Sequence, residues 1–343
     1  MTSFTPRQVG YAFASFSLGV WAFVKVNSIS GPAFEPILAA CTNPEYLGED
    51  FAEKTGYHAY DARVGLGLFR VLVCLITQFL FELVNTFPAG FLTWAGVIVV
   101  SLPVAAFANL EAGRAGARGP LRYPVAVGLL YQCFGVSVMF PMVWLPAFVL
   151  GEGHRGAPLT AFRVFASLPL ALPGIVLTAL VFLTDTDSQL WTSSAGMLGG
   201  PIVVCSGWVL WTDASSRLVA TKKNVAETSR ATKQVYRVLG AAGFILWYVM
   251  VYVAWQAYGL SAGNLWNAIW SKANPSVQFM TIDTGVLYVA ILMFIAYRGG
   301  EAKAAKALLL TAAVGPAAAC CLTLSEVEDE TECLVSAVDD KKD

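Results

Sequence analysis

Apolar runs long enough to cross a bilayer recur along this chain, and they leave it few folds. About 20 apolar residues traverse the hydrocarbon core as a helix. Nine runs approach that length, at roughly 9–25, 64–84, 88–109, 124–149, 161–183, 192–211, 235–257, 277–297 and 306–324. Hydrophobic residues make up 57% of the chain and charged residues 13%. A soluble domain carries about 25% charged residues, so lipid must serve as solvent for much of this surface. The expectation is an all-α, polytopic transmembrane helical bundle of about 8–9 spans. It forms a single domain over 1–325, with a longer extramembrane loop at 26–62 and an acidic, disordered tail at 326–343. The apolar start after Arg7 reads as a retained first span, because no small-residue cleavage site follows Val24.

Composition also narrows the partners. The formal net charge is −1, so no basic excess points to nucleic acid. The expected partners are membrane lipid and a lipophilic small molecule. Two histidines, His58 and His154, have no ligand partner at helical spacing, and no cofactor or metal site is expected. The seven cysteines show no C-x-x-C pair and fall mostly in apolar runs, where cysteine packs as a small hydrophobe. There is no phosphate-binding glycine loop, no G-x-S-x-G elbow and no H-E-x-x-H. The aspartate-rich D-D-x-x-D and D-x-D-D motifs are also missing, and Asp185-Thr186-Asp187 reads as a helix-linking turn.

Basic loops set the expected orientation. Placing 212–234 and 298–306 in the cytosol puts the N-terminus there under a nine-span count, with the acidic 26–62 loop and the tail in the lumen. Loop 112–123, with Arg114, Arg118 and Arg122, disagrees by landing on the lumenal side. No glycosylation acceptor arbitrates, since Asn274 precedes Pro275.

Ionisable residues inside the apolar runs are the candidate site. Each costs about 2.5–3.5 kcal/mol on insertion scales and is retained where it faces the protein interior, pairs, or does chemistry. Arg70 and Glu82 lie in the second run and Asp283 in the eighth. Nine spans place Arg70 and Asp283 about 9 Å below one membrane face. Glu111 ends the third run on that side and Glu35 belongs to the loop above it, so one polar pocket would gather Glu35, Arg70, Glu111 and Asp283. Glu82, a turn from Gln78, would sit toward the other face. An Arg70–Asp283 pair is equally readable as a structural clamp, and Glu82 as a helix-end residue reaching interfacial water. Trp144, Trp208, Trp247 and Trp255 fall within runs. Their rings read either as an interfacial belt or as the wall of an apolar cavity that stabilises a passing cation.

The stretch from Phe279 through Thr281-Ile282-Asp283-Thr284-Gly285 to Tyr288 is followed by Gly299-Gly300-Glu301, Ala307-Leu308-Leu309-Leu310 and Gly315-Pro316-Ala317-Ala318. It resembles the C-terminal part of fungal integral-membrane terpene cyclases of meroterpenoid pathways, of the ascochlorin and ascofuranone type. The resemblance implies an endoplasmic-reticulum enzyme of isomerase class in secondary metabolism. Its substrate would be a prenylated small molecule, a farnesyl phenol with an epoxidised terminal olefin, closed into a ring by acid-assisted epoxide opening. A carboxyl group in an apolar wall keeps its proton to higher pH than usual and can act as general acid. Asp283 or Glu82 would be that acid and Glu35 or Glu111 its partner, with Arg70, Gln78 and Trp247 binding substrate. If Arg70 sits against Asp283, Asp283 becomes an orienting base and another acid donates the proton. The alternative is a multi-pass transporter of a small lipophilic molecule.

Overall fold

The computed structural model describes residues 4–46, 50–61, 67–196, 215, 218–259 and 261–339, and all regular structure among them is helical. In chain order the helices are α1 (Pro6–Thr42), α2 (Phe51–Thr55), α3 (Leu68–Asn85), α4 (Ala89–Gly113), α5 (Pro124–Phe134) and α6 (Val136–Gly151). They continue with α7 (Ala161–Leu183), α8 (Gln189–Gly196), α9 (Lys222–Tyr258), α10 (Ala262–Trp266), α11 (Pro275–Gly299), α12 (Glu301–Val314) and α13 (Pro316–Asp339). Five of them, α1, α4, α7, α9 and α11, are long and apolar enough to cross a membrane.

Burial sorts these five. The apolar window of α4 is 78% buried, against 28% in α1 and in α9. Helix α4 is therefore the central post, while α1 and α9 turn one apolar face outward, with Phe13, Trp21, Tyr252 and Trp255 exposed. The core beside α4 is aromatic. Phe107, Phe140, Trp144, Phe148 and Phe294 stack at centroid separations of 4.3–5.8 Å. Trp144 is thus a packed core residue.

The bundle has two chemically distinct ends. At one, a Cys41–Cys74 disulfide ties α1 to α3. At the other, α4 and α11 finish in a buried ionic cluster. Arg114 reaches Glu111 at 3.1 Å and Glu328 at 2.9 Å, and Arg298 reaches Glu111 at 3.3 Å. The start of α1 lies here too, since Arg7 donates to the Ala296 carbonyl and Gln8 to that of Val149.

Several expectations change. Helix α1 does not stop at Lys25. It begins with a Thr5–Gln8 capping box and runs through Pro32 and Pro36 to Thr42, so the loop expected at 26–62 begins only after Thr42. The acidic tail is helical as far as Asp339, because its charges have partners: Glu326 with Lys306, Glu328 with Arg114, Asp329 with Lys233 and Glu330 with Lys303. Cys74, in a run where cysteine is expected to pack, is instead joined to Cys41, whereas Cys320 and Cys321 are free and buried.

Two apolar runs turn back on themselves. The run at 124–149 breaks at Gly135 (φ +86°), and its ends meet again where the Arg118 amide donates to the Gly151 carbonyl. The run at 306–324 breaks at Gly315 (φ +81°) before Pro316, and α12 and α13 are stapled antiparallel by Lys303–Glu330 and Lys306–Glu326. A positive φ of this kind suits glycine, which lacks Cβ. Helix α3 lies at the disulfide end: Cys74 bonds Cys41, and Glu82 accepts from Ser276 at the start of α11. The run at 192–211 lies largely outside the described residues. As a result loop 112–123 sits at the same end as 298–306, beside Arg298.

Candidate functional site

A cavity of about 660 Å³ lies between α1, α3, α4, α5, the start of α6, α7 and α11. On α4 its lining follows one helical stripe, Trp94, Val97, Ile98, Ser101, Ala105 and Ala108, ending at Asn109. That spacing keeps the residues on one face. The 15 residues from Trp94 to Asn109 rise about 22 Å. Small side chains at Ser101, Ala105 and Ala108 leave the space that a leucine stripe would fill. The wall is mainly apolar, and Phe34, Phe79, Trp94, Tyr131, Phe134 and Phe279 contribute rings.

Among the described residues, Asp283 is the one charged side chain lining this cavity. It is 4% exposed. Its position follows from the break in the 124–149 run. Gly135 ends α5 and starts α6, and a Cβ built there would lie 3.4 Å from Asp283 Oδ1. Just beyond, the Ser137 amide donates to Asp283 Oδ1 at 3.3 Å, and the Ser137 hydroxyl donates to the same oxygen. Asp283 thus satisfies a first-turn amide of α6, which has no intrahelical acceptor, from a neighbouring helix. Both bonds fall on Oδ1, and no described hydrogen bond engages Oδ2. The arrangement is a carboxyl group fixed at one oxygen, with the other free to exchange a proton or hydrogen bond with a ligand.

Of the other polar lining groups, Ser30 Oγ and the Tyr131 hydroxyl are buried without a hydrogen-bond partner among the described residues, whereas Asn109 and Trp94 are committed to the protein. Asn109 Nδ2 donates to the Arg163 carbonyl and to Ser167 Oγ, and Trp94 Nε1 donates to Thr178 Oγ1 at 2.9 Å. Among the described residues the cavity therefore offers one acid and two unpartnered hydroxyls in a largely apolar enclosure.

The remaining candidates lie elsewhere. Glu35 is on the exposed side of α1. Glu82 is half-buried and accepts from Ser276. Glu111 lies in the ionic cluster beside Arg298, 15 residues along α11 from Asp283, or about 22 Å. Its pocket with Asp283 fails because α3 stays at the disulfide end, which reverses the expected direction of α4. Arg70 is half-buried near Tyr60, and no ion pair joins it to Asp283 among the described residues. Gln78 clamps the backbone of His58, accepting from its amide at 2.9 Å and donating to its carbonyl at 2.7 Å. Trp247 packs over Gly315 at the break between α12 and α13, where no Cβ would fit. Asp185 and Asp187 form a local turn, with the Asp187 amide donating to Asp185 Oδ1.

Ser137 and the α4 stripe were missed by sequence reasoning. Their signals are a glycine in mid-run followed two residues later by serine, and small residues at three- and four-residue spacing. The chain matches no protein-family model, no curated protein and no solved structure.

Proposed function

We propose that this is a multi-pass membrane cyclase that closes a ring on an epoxidised, prenylated phenol, with Asp283 as general acid. The observation that carries the reading is Asp283 as the sole charged group, among the described residues, in a 660 Å³ largely apolar cavity. That volume is within the range of small-molecule sites. Asp283 Oδ2 would give its proton to the epoxide oxygen. The C–O bond then breaks as an internal alkene supplies electrons to the electrophilic carbon, and a new C–C bond forms. The cationic centre that results lies among aromatic rings whose faces attract positive charge. Loss of a proton from carbon, or capture by the phenol oxygen with loss of its proton, ends the reaction. That proton neutralises the Asp283 carboxylate, so the molecular formula is unchanged. The Ser137 bonds hold the carboxyl in place and stabilise the charge left after donation. Excluding water protects the epoxide from hydrolysis. Glu35, Glu82, Glu111, Arg70, Gln78 and Trp247 take no part in this scheme.

The same reading places the protein in the endoplasmic reticulum. The end bearing Arg7, Arg114, Arg118, Arg122, Arg155 and Arg298 faces the cytosol by the positive-inside rule. The disulfide end faces the oxidising lumen.

A second reading is favoured by the two glycine-broken hairpins. Interrupted helices whose half-helix ends meet a polar group inside the bundle are typical of transporters, and this one would carry a small lipophilic molecule. Microsomes containing the protein, supplied with an epoxidised farnesyl phenol, separate the two. A product of unchanged mass and altered retention time, lost in Asp283→Asn, supports cyclisation. Accumulation in sealed vesicles without conversion supports transport and overturns the cyclase.

A further inference from the structure

The lining of the cavity is not all interior. Phe23 (44% exposed), Asn27, Gly31 and Leu38 (45% exposed) on α1 line it and also reach the outer surface. They recur at four- and seven-residue spacing, so they form one edge of the helix. Across from them, Phe134 (50% exposed) and Gly128 on α5 likewise line the cavity. A Cβ built on Gly31 or on Gly128 meets nothing within 4 Å. These two glycines are gaps in facing walls, with no packing role that would explain a missing side chain. The α1 edge carries no charge from Phe23 to Gly31, with Glu35 one turn beyond, and it belongs to a helix long and apolar enough to lie in lipid.

We propose that the cavity is filled sideways from the bilayer, through a slot between the Phe23–Asn27–Gly31 edge of α1 and Gly128 and Phe134 of α5. Its ligand is a single-chain prenyl or acyl amphiphile bearing at least one oxygen function. The chain lies along the stripe of α4, and an oxygen meets Asp283, the one charged group among the described residues of the wall. A water-soluble ligand would have to cross an apolar rim to reach that carboxyl. A chain dissolved in lipid reaches it without leaving hydrocarbon. The inference rests on the cavity being the ligand site, as proposed above, but does not require ring closure.

The test uses full-length protein in lipid nanodiscs with farnesol carrying a photoreactive diazirine, an unreactive probe that contains no epoxide. Light-induced labelling is mapped by mass spectrometry. Wild type should be labelled on the Trp94–Asn109 stripe, in competition with plain farnesol, and on the lipid-facing residues of α9. Gly31→Trp and Gly128→Trp should each cut stripe labelling at least tenfold and leave α9 labelling unchanged. Gly31→Ala and Gly10→Trp, the latter an open position outside the cavity lining, should match wild type. Undiminished stripe labelling in both plugged variants, or none in wild type, overturns the proposal. Normal labelling and plugging with no conversion of an epoxidised substrate would instead sink the cyclase reading alone.

Discussion

Replacing Glu328 with glutamine tests the fold at its most demanding point. Four buried charges meet at the arginine end, Arg114 and Arg298 against Glu111 and Glu328, each no more than 7% exposed. Burial by itself would weaken the charge on Arg114, but Glu111 and Glu328 outweigh it and hold its pKa above the ordinary arginine value. Glu328→Gln keeps shape and leaves two cations facing one buried anion, with Glu152 half-buried at 3.7 Å from Arg298. Removing one partner of a buried pair costs about 3–5 kcal/mol. The amide oxygen can still accept from Arg114, which places this isosteric change near 3 kcal/mol. The second half of the experiment adds Arg298→Met. The double variant has one cation and one anion left, and should be more stable than the sum of the single effects by about 0.5–3 kcal/mol. Reversible unfolding in mixed micelles, followed by tryptophan fluorescence, measures all four corners of the cycle. A loss below 0.5 kcal/mol in Glu328→Gln, or strict additivity in the double variant, would refute the packing of α13 against α4 and α11.

Three further outcomes are expected. Ser137→Ala removes one of two hydrogen bonds to Asp283; a bond to a charged group contributes about 1.5–3 kcal/mol, so conversion should slow roughly 10- to 150-fold, and a rate within twofold of wild type removes Ser137 from the scheme. Cys41→Ser with Cys74→Ser opens a loop between residues 33 apart; chain entropy sets the loss near 4 kcal/mol, read by the same unfolding assay, and a reductant should affect wild type but not the variant. His58 is half-buried, and burial lowers its pKa below the usual 6.5 despite the Thr186 carbonyl at its ring. The folded state then binds fewer protons than the unfolded one, so His58 contributes stability above pH 6.5 that is lost as pH falls through its depressed pKa. Stability should drop between neutral and mildly acidic pH, and His58→Gln should flatten that slope; an equal slope in the variant contradicts the assignment.

Helical class and apolar character were legible from run length, because bilayer thickness sets a scale that the sequence must match. The inward placement of Asp283 was legible as well: a lone acid in an apolar run needs a reason, and it lines the cavity. The same logic cannot separate Asp283 from Glu111 or Glu82, since a cavity acid and an ion-paired helix end carry the same insertion cost. Glu111 differs only through Arg114, three residues on, and through Arg298 and Glu328, which distance in sequence hides. The misplaced pocket came from assuming that each apolar run crosses. Prolines at 32 and 36 hid the second half of α1, and a serine two residues after a glycine gave no periodic signal of the turn that grips Asp283.

Both missed breaks follow one physical rule, and it links topology to site. A helix that stops inside an apolar bundle leaves amides and carbonyls that lipid cannot satisfy, so the break must be covered by protein or face a cavity. At Gly315 the cover is Trp247, whose ring lies where a Cβ would be. At Gly135 the cover is incomplete: Asp283 takes the Ser137 amide, and Gly135 and Val136 line the open cavity. The two hairpins use the same φ-positive glycine to turn, yet one is sealed with an aromatic ring and the other is closed by a carboxylate with a free oxygen. An indole, a donor only, could not accept from the Ser137 amide; the carboxylate does so and has a second oxygen left over. The break finished with an acid and left beside the cavity is therefore the one whose backbone geometry belongs to the candidate site.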